Sequence, residues 1–193
     1  LAEAEIEYHD HTSTTIWVRF PVVKSNLDEL SGAAVLIWTT TPWTIPGNRC
    51  ICYGEGIAYH LIEVQEVAEG SLAQKGERLV VAGELVDTIA AECGITAWRC
   101  VVQDIKVQEL ATSICAHPLK ADGYDFAVPL IPSSHVTTEQ GSGFVHTAPG
   151  HGAEDFEAVM AYNSQLREDG DPRSVIEVPQ TVDGDGTYFG QVP

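Results

Sequence analysis

Lysine and arginine are scarce in this chain: ten of them stand against 28 aspartates and glutamates in 193 residues, a formal charge of −18. So few cations can neutralise few phosphates, which argues against a protein that grips nucleic acid by its backbone. The acidity is spread along the whole sequence rather than gathered in a tail, and its direct consequence is solubility. Cysteine occurs five times, at Cys50, Cys52, Cys93, Cys100 and Cys115, never as a C-x-x-C pair. An odd number does not suit a disulfide framework, so a reducing, cytoplasmic setting is expected. Cys50 and Cys52 would share one strand face and read as core packing. No apolar run approaches the about 18 residues of a membrane-spanning helix, and no membrane contact is expected. The chain opens LAEAEIEY, with neither an initiator methionine nor a signal-like core, and reads as a piece cut from something larger.

What is present is an ordinary 44% of hydrophobic residues, enough for one sizeable core. Strand patterns dominate. Residues 16–20 alternate up to Pro21, and residues 34–38 form an unbroken apolar run, as in a strand buried on both faces. Residues 49–53 and 57–64 read as strands around the turn Gly54-Glu55-Gly56. Residues 79–82, 97–107, 109–116 and 124–131 follow, with a short strand at Val145-His146-Thr147, while 22–32 and 66–77 connect. Two helices are expected. In the first, Leu85, Val86, Ile89, Ala90 and Cys93 recur at helical spacing and Gly94 is the stop. The second starts at Ala153 and runs to about Arg167, with Phe156, Val159, Met160 and Asn163 as its stripe. The remaining tail is extended, with a turn at VDGDG.

The stretch AVLIWTTTPWTIPGN, residues 34–48, organises the rest. A strand alternates its side chains, so Thr39 and Thr41 should share a face and Thr40 should oppose them. Pro42 cannot donate to a ladder and ends the strand, which holds Trp43 near the hydroxyls. A row of neutral hydroxyls beside a flat apolar ring, followed by the amide of Asn48, suits an uncharged, hydroxyl-bearing ligand. Threonine is also common in strands for packing alone.

A second constellation lies within GSGFVHTAPGHGAEDF, residues 141–156. The glycines around Ser142 bring backbone close to whatever sits on the concave side of the turn. His146, His151 and Asp155 allow a metal-dependent hydrolase, with His117 or His135 completing the ligand set. Ser142 with His146 lacks the strand–turn–helix elbow of a serine nucleophile. In the plainest reading Asp155 caps the helix amides and His146 is only a strand residue.

Taken together, Thr-Thr-Thr-Pro-Trp-Thr-Ile-Pro-Gly-Asn and Gly-Ser-Gly-Phe-Val-His-Thr-Ala-Pro-Gly-His-Gly-Ala-Glu-Asp resemble, in order and separation, the two signatures of the editing domain inserted in isoleucyl-tRNA synthetases. The opening, Ala2-Glu3-Ala4-Glu5 through Tyr8-His9-Asp10-His11-Thr12-Ser13, and the closing Val182-Asp183-Gly184-Asp185-Gly186 are similar to that family's lead-in and exit. Related valyl and leucyl insertions have Thr-Thr-Arg-Pro where this chain has Thr-Thr-Thr-Pro-Trp. Departures from the isoleucyl pattern are Ser142, Gly47 and Ile45, and none removes a hydroxyl, imidazole or carboxylate.

The resemblance implies a mixed, β-rich α+β fold with a β-barrel-like core and a few peripheral helices, of the valyl/isoleucyl/leucyl editing-domain type. It implies one editing domain over 1–193, with 1–12 and about 176–193 as connecting strands to a parent catalytic domain. The implied activity is hydrolysis of valine mis-esterified to isoleucine tRNA, after transfer and possibly before it. Thr39, Thr40, Thr41, Asn48 and Asp155 would be catalytic, and Trp43, Gly143, Phe144, His146 and Asp155 would bind substrate. The partners would be the 3′ acceptor end of isoleucine tRNA, valine and the remainder of the synthetase. No metal or cofactor is expected in this domain; ATP and Mg belong to the parent catalytic domain. The competing expectations are a non-catalytic module that binds an aminoacyl adenosine or tRNA end, and the metal hydrolase built on His146, His151 and Asp155.

Overall fold

The computed structural model describes residues 12–192, so the lead-in expected at residues 1–12 falls, but for Thr12, outside the described residues. Among the described residues there are nine strands: β1 (Ile16–Lys24), β2 (Ala34–Thr39), β3 (Cys50–Tyr53), β4 (Tyr59–Val67), β5 (Arg78–Ala82), β6 (Ile95–Ile105), β7 (Ile114–Ala116), β8 (Ala127–Pro132) and β9 (Phe144–Thr147). Three α-helices join them: α1 (Val86–Cys93), α2 (Val107–Ala111) and α3 (Ala153–Glu168). The strands form one sheet in the order β6-β4-β5-β2-β1-β7-β8-β3-β9. Pairing is antiparallel except for β2 with β5 and β3 with β8.

β1 makes the sheet turn over. Residues Ile16 to Pro21 pair with β2, whereas Val22 and Lys24 pair with β7. Pro21 sits where the partner changes, a place that tolerates its missing N–H. The strand therefore runs past the expected end at Phe20. The turned sheet brings β9 against β2, and the Ala82 amide donates to the Ser142 carbonyl at 2.8 Å. The strand-rich α+β class is as expected, but the barrel-like sheet stays open. Its end strands β6 and β9 do not pair: β9 has only four residues, and all four are in its ladder with β3.

Two cores result. The larger contains Phe20, Ile37, Ile51, Leu61, Val80 and Ile89; the smaller packs Cys50, Cys52, Ile131, Val159 and Ile176 beneath α3. β3 lies between them, with Ile51 and Tyr53 facing one and Cys50 and Cys52 the other, which is the shared face that the two-residue spacing requires. Burying a side chain such as Val159 contributes about 1.5–3 kcal/mol, so α3 is held firmly across the sheet end.

Gly94 ends α1 at φ 73°, its N–H reaching the carbonyls of Ala90 and Ala91, as the sequence predicts. Elsewhere the elements differ from expectation. Residues 109–116 split into the end of α2 and β7, because the hydroxyls of Thr112 and Ser113 donate back to the Glu109 carbonyl and close a turn. β3 and β4 flank the Gly54 turn without pairing with each other: β3 joins β8 and β9, and β4 joins β5 and β6. The buried face of α3 is Val159, Asn163 and Leu166, while Phe156 is 44% exposed. Asn163 clamps the tail by exchanging two hydrogen bonds with Ile176. No helix among the described residues is long and apolar enough to cross a membrane.

Candidate active site

The end of β2, the start of α3 and β9 enclose one cavity of about 390 Å³. Thr39, Thr40, Thr41 and Thr44 line one side, Phe144, His146 and Ala148 another, and Trp43, His151 and Asp155 the rim. The two stretches singled out in the sequence thus meet across about 100 residues. β2 stops at Thr39, and residues Pro42–Gly47 wind into a 3-10 turn. The Thr39 and Thr41 hydroxyls lie 3.2 Å apart on one side, as strand alternation predicts. Thr40 reaches the same cavity, because the chain has already left strand geometry.

His146 lies beneath these hydroxyls, 7% exposed. Its Nε2 is 2.9 Å from Thr44 Oγ1 and its Nδ1 is 2.8 Å from Asn48 Nδ2. Burial holds its pKa down at about 4, with the neighbouring His117 and His151 adding to the depression. The ring is neutral near pH 7. Asp155 is the opposite case. Its Oδ2 accepts the Ala148 amide at 2.8 Å, yet burial raises its pKa above the ordinary carboxylate value. No salt bridge to it is formed among the described residues. Trp43 stands edge-on to His151 at 5.2 Å, and His151 Nε2 is 2.6 Å from Thr181 Oγ1.

No family model matches the chain. Over its whole length it is 48% identical to the isoleucine–tRNA ligase of Agrobacterium fabrum and 44% identical to that of Gluconobacter oxydans, covering 19% of each. The chain belongs to the isoleucine–tRNA ligases, as a segment of them. It spans about a fifth of the length of these curated relatives. Its fold is that of the P. falciparum cytosolic leucyl-tRNA synthetase editing domain, at a TM-score of 0.59 over 80% of this chain and 57% of that one, with 10% identity. The corresponding P. knowlesi domain gives 0.54 over 73% and 55%, at 12% identity.

Within this isoleucine–tRNA ligase segment, Thr39, Thr40, Thr41, Trp43, Phe144, His146 and Asp155 all reach the cavity. Asn48 does not. It is fully buried behind His146, where it also donates to the Cys50 carbonyl at 2.9 Å. Gly143 is likewise behind the wall. It adopts φ 78°, a Cβ there would fall 2.4 Å from Ala82 Cβ, and its carbonyl accepts the Tyr59 hydroxyl at 2.6 Å. Asp155 is not a helix cap, since the N-cap Gly152 has no side-chain capping bond and the carboxylate turns to Ala148 instead. Ser142 is fully buried and faces Phe144 N, away from any nucleophile's position. The trio His146, His151 and Asp155 does not form a metal set: the two imidazoles are engaged by Thr44, Asn48 and Thr181, and no group of three His, Cys, Asp or Glu among the described residues is placed to hold an ion. His117 is buried against the Ile45 carbonyl and Leu119 amide.

Sequence reasoning missed Thr44, although it sits in the same Thr-rich peptide, three residues after Thr41. It also missed Thr137 and Gln140, which line the cavity from a loop with no periodicity to read, and gave His135 only a metal-ligand role.

Proposed function

We propose that this chain is the editing segment of an isoleucine–tRNA ligase and hydrolyses valine mis-esterified to the 3′ end of isoleucine tRNA. The observation that carries this reading is the Asp155 carboxylate, half-buried and without a salt bridge among the described residues, at the rim of a hydroxyl-lined cavity. An aminoacyl ester brings an α-ammonium group, and that cation supplies what Asp155 lacks. A pocket built for isoleucine rejects valine weakly, since one methylene is worth about 1–3 kcal/mol, and isoleucyl-tRNA synthetase is the standard illustration of that limit. A second site must therefore sort by exclusion.

His146 suits the excluding wall. Its ring is locked from both nitrogens, so a larger side chain cannot push it aside without breaking two buried hydrogen bonds. The Thr39, Thr40 and Thr41 hydroxyls orient the ester, the ribose and an attacking water, while Trp43 offers a half-exposed face at the mouth. An ester is already activated, and the barrier falls by positioning and by donors aimed at the developing oxyanion. No metal or covalent intermediate is required in this scheme. ATP and Mg belong to the ligase's remaining four-fifths, as does most of the grip on tRNA, given the charge of −18 here.

A single-turnover assay of the chain with valyl- and isoleucyl-tRNA tests the proposal. Release of valine with sparing of isoleucine is expected. Binding of the valyl ester without release would leave only a binding module.

A further inference from the structure

A second cavity, of about 480 Å³, opens between β7, β8, α3 and the tail, and shares no lining residue with the first. Its walls are mostly apolar, from Ile114, Phe126, Pro129 and Ile176, and two arginines line it, Arg49 and Arg173. The Arg49 guanidinium stacks on Phe126 at 4.5 Å. Its Nη1 alone is tied down, donating to the carbonyls of Pro46 and Asn48. The Nε–Nη2 edge has no hydrogen-bond partner and no salt bridge among the described residues, although 28 acidic side chains are present in the chain. Arg173, by contrast, already has its Nε–Nη2 edge on both oxygens of Asp171.

An open guanidinium edge is a planar pair of donors matched to one carboxylate. The other polar side chains of the lining are Tyr162, Ser174, the Asp171-bound Arg173 and Glu177, and the Glu177 carboxylate at the rim would repel a dianion such as a phosphate monoester more than a monoanion. A volume in the usual range of ligand pockets, lined this way, fits a flat apolar body that ends in a single negative charge. We propose that this cavity is a binding site for an organic monocarboxylate with a flat apolar body, whether a free small molecule or an acidic residue of an apolar peptide, with the Nε–Nη2 edge of Arg49 as its anchor.

Benzoate tests the site, followed by NMR on the ring resonances of Phe126 and Tyr162 in the 193-residue chain, with benzamide and AMP alongside. Benzoate should bind about tenfold or more tightly than benzamide, which has the same body without the charge. Glu177→Gln should tighten it and Arg49→Gln should weaken it. Because Arg49 also braces Pro46 and Asn48, Val175→Trp, on the exposed tail, serves as a second variant that fills the cavity with Arg49 intact. Equal binding of benzoate and benzamide, tighter binding of AMP, or indifference to Val175→Trp would overturn the proposal. Should benzoate pass, a short apolar peptide ending in aspartate that competes with it assigns the natural source to a protein segment, and one that does not assigns it to a small molecule. These measurements read binding at a separate cavity, so their failure leaves the editing reading untouched.

Discussion

Asn48 fixes the proton on His146. The amide nitrogen of Asn48 lies 2.9 Å from the Cys50 carbonyl and 2.8 Å from His146 Nδ1. A carbonyl can only accept, so that end of the amide is the NH₂ group, Nδ1 is the acceptor, and the ring hydrogen is on Nε2, donating to Thr44 Oγ1. Thr44 in turn donates to the Thr41 carbonyl at 2.8 Å. The relay runs from the buried strand into the threonine peptide. It is kept although Asn48 Oδ1 is buried with no partner, which costs about 1–3 kcal/mol. Nitrogen NMR at neutral pH should show His146 as the Nε2–H tautomer. Asn48→Asp should raise its pKa from about 4, because a carboxylate beside the ring favours imidazolium. Finding the Nδ1–H tautomer in the unaltered chain would refute the relay.

Asp155 should separate activity from stability. Its raised pKa means that folding disfavours the carboxylate charge, so replacing it with a neutral isostere relieves the folded state near pH 7. In Asp155→Asn the side-chain amide oxygen can still accept the Ala148 N–H, so the local hydrogen bond is kept while the charge is removed. This variant is expected to lower valyl-tRNA deacylation about 100-fold or more through loss of the ammonium partner, with a melting temperature equal to or above that of the parent chain. Lost stability together with lost activity would mark Asp155 as a structural residue instead.

How much of this was legible in the sequence depended on whether a feature is local. Gly94 as a helix stop, the shared face of Cys50 and Cys52 and the strand before Thr39 follow from a few neighbouring residues, and they stand as read. The class of fold and the two stretches that form the cavity were also legible, since each is a compact motif. What was lost depends on contacts far apart in the chain. Asn48 looked like a catalytic amide facing the ligand, but its position behind His146 is set by pairing of β3 with β9. Gly143 looked like a ligand-facing turn, yet its shape answers to Ala82 and Tyr59, about 60 and 84 residues away in sequence. Phe156 followed the helical period but fell outside the buried face, because β8 and the tail meet α3 along Val159, Asn163 and Leu166.

Acid should unfold the chain earlier than its carboxylates alone would dictate. His146 and His117 are both buried neutral, with pKa values held at about 4 against 6.5 for an exposed imidazole. The unfolded chain takes up these two protons first as pH falls, so their contribution is full above about pH 6.5 and is lost progressively down to about pH 4. Each group accounts for roughly 3 kcal/mol at the acid end of the window. Asp155 acts in the other direction, since its raised pKa favours the folded state once it is protonated. Urea midpoints between pH 7 and 4.5 should fall steeply, and His117→Gln should flatten the slope by about half. A flat profile across this interval would contradict the burial of the two rings.

His146→Ala should convert a selective site into a permissive one. The ring closes the floor of the cavity and cannot rotate while Asn48 and Thr44 hold both nitrogens. Removing it opens more space than the one methylene that distinguishes isoleucine from valine, so the cognate ester gains entry. The ratio of valyl to isoleucyl deacylation rates should fall about 10- to 100-fold, mostly through a faster isoleucyl reaction. Thr44 and Asn48 lose a partner in this variant, at a cost of about 1–3 kcal/mol in stability, so the comparison belongs at a temperature where both chains remain folded. The Asp155 carboxylate and the three consecutive threonines are unchanged, and valyl hydrolysis should persist. If both rates fell together with their ratio intact, His146 would be aligning the ester rather than limiting the size of its side chain.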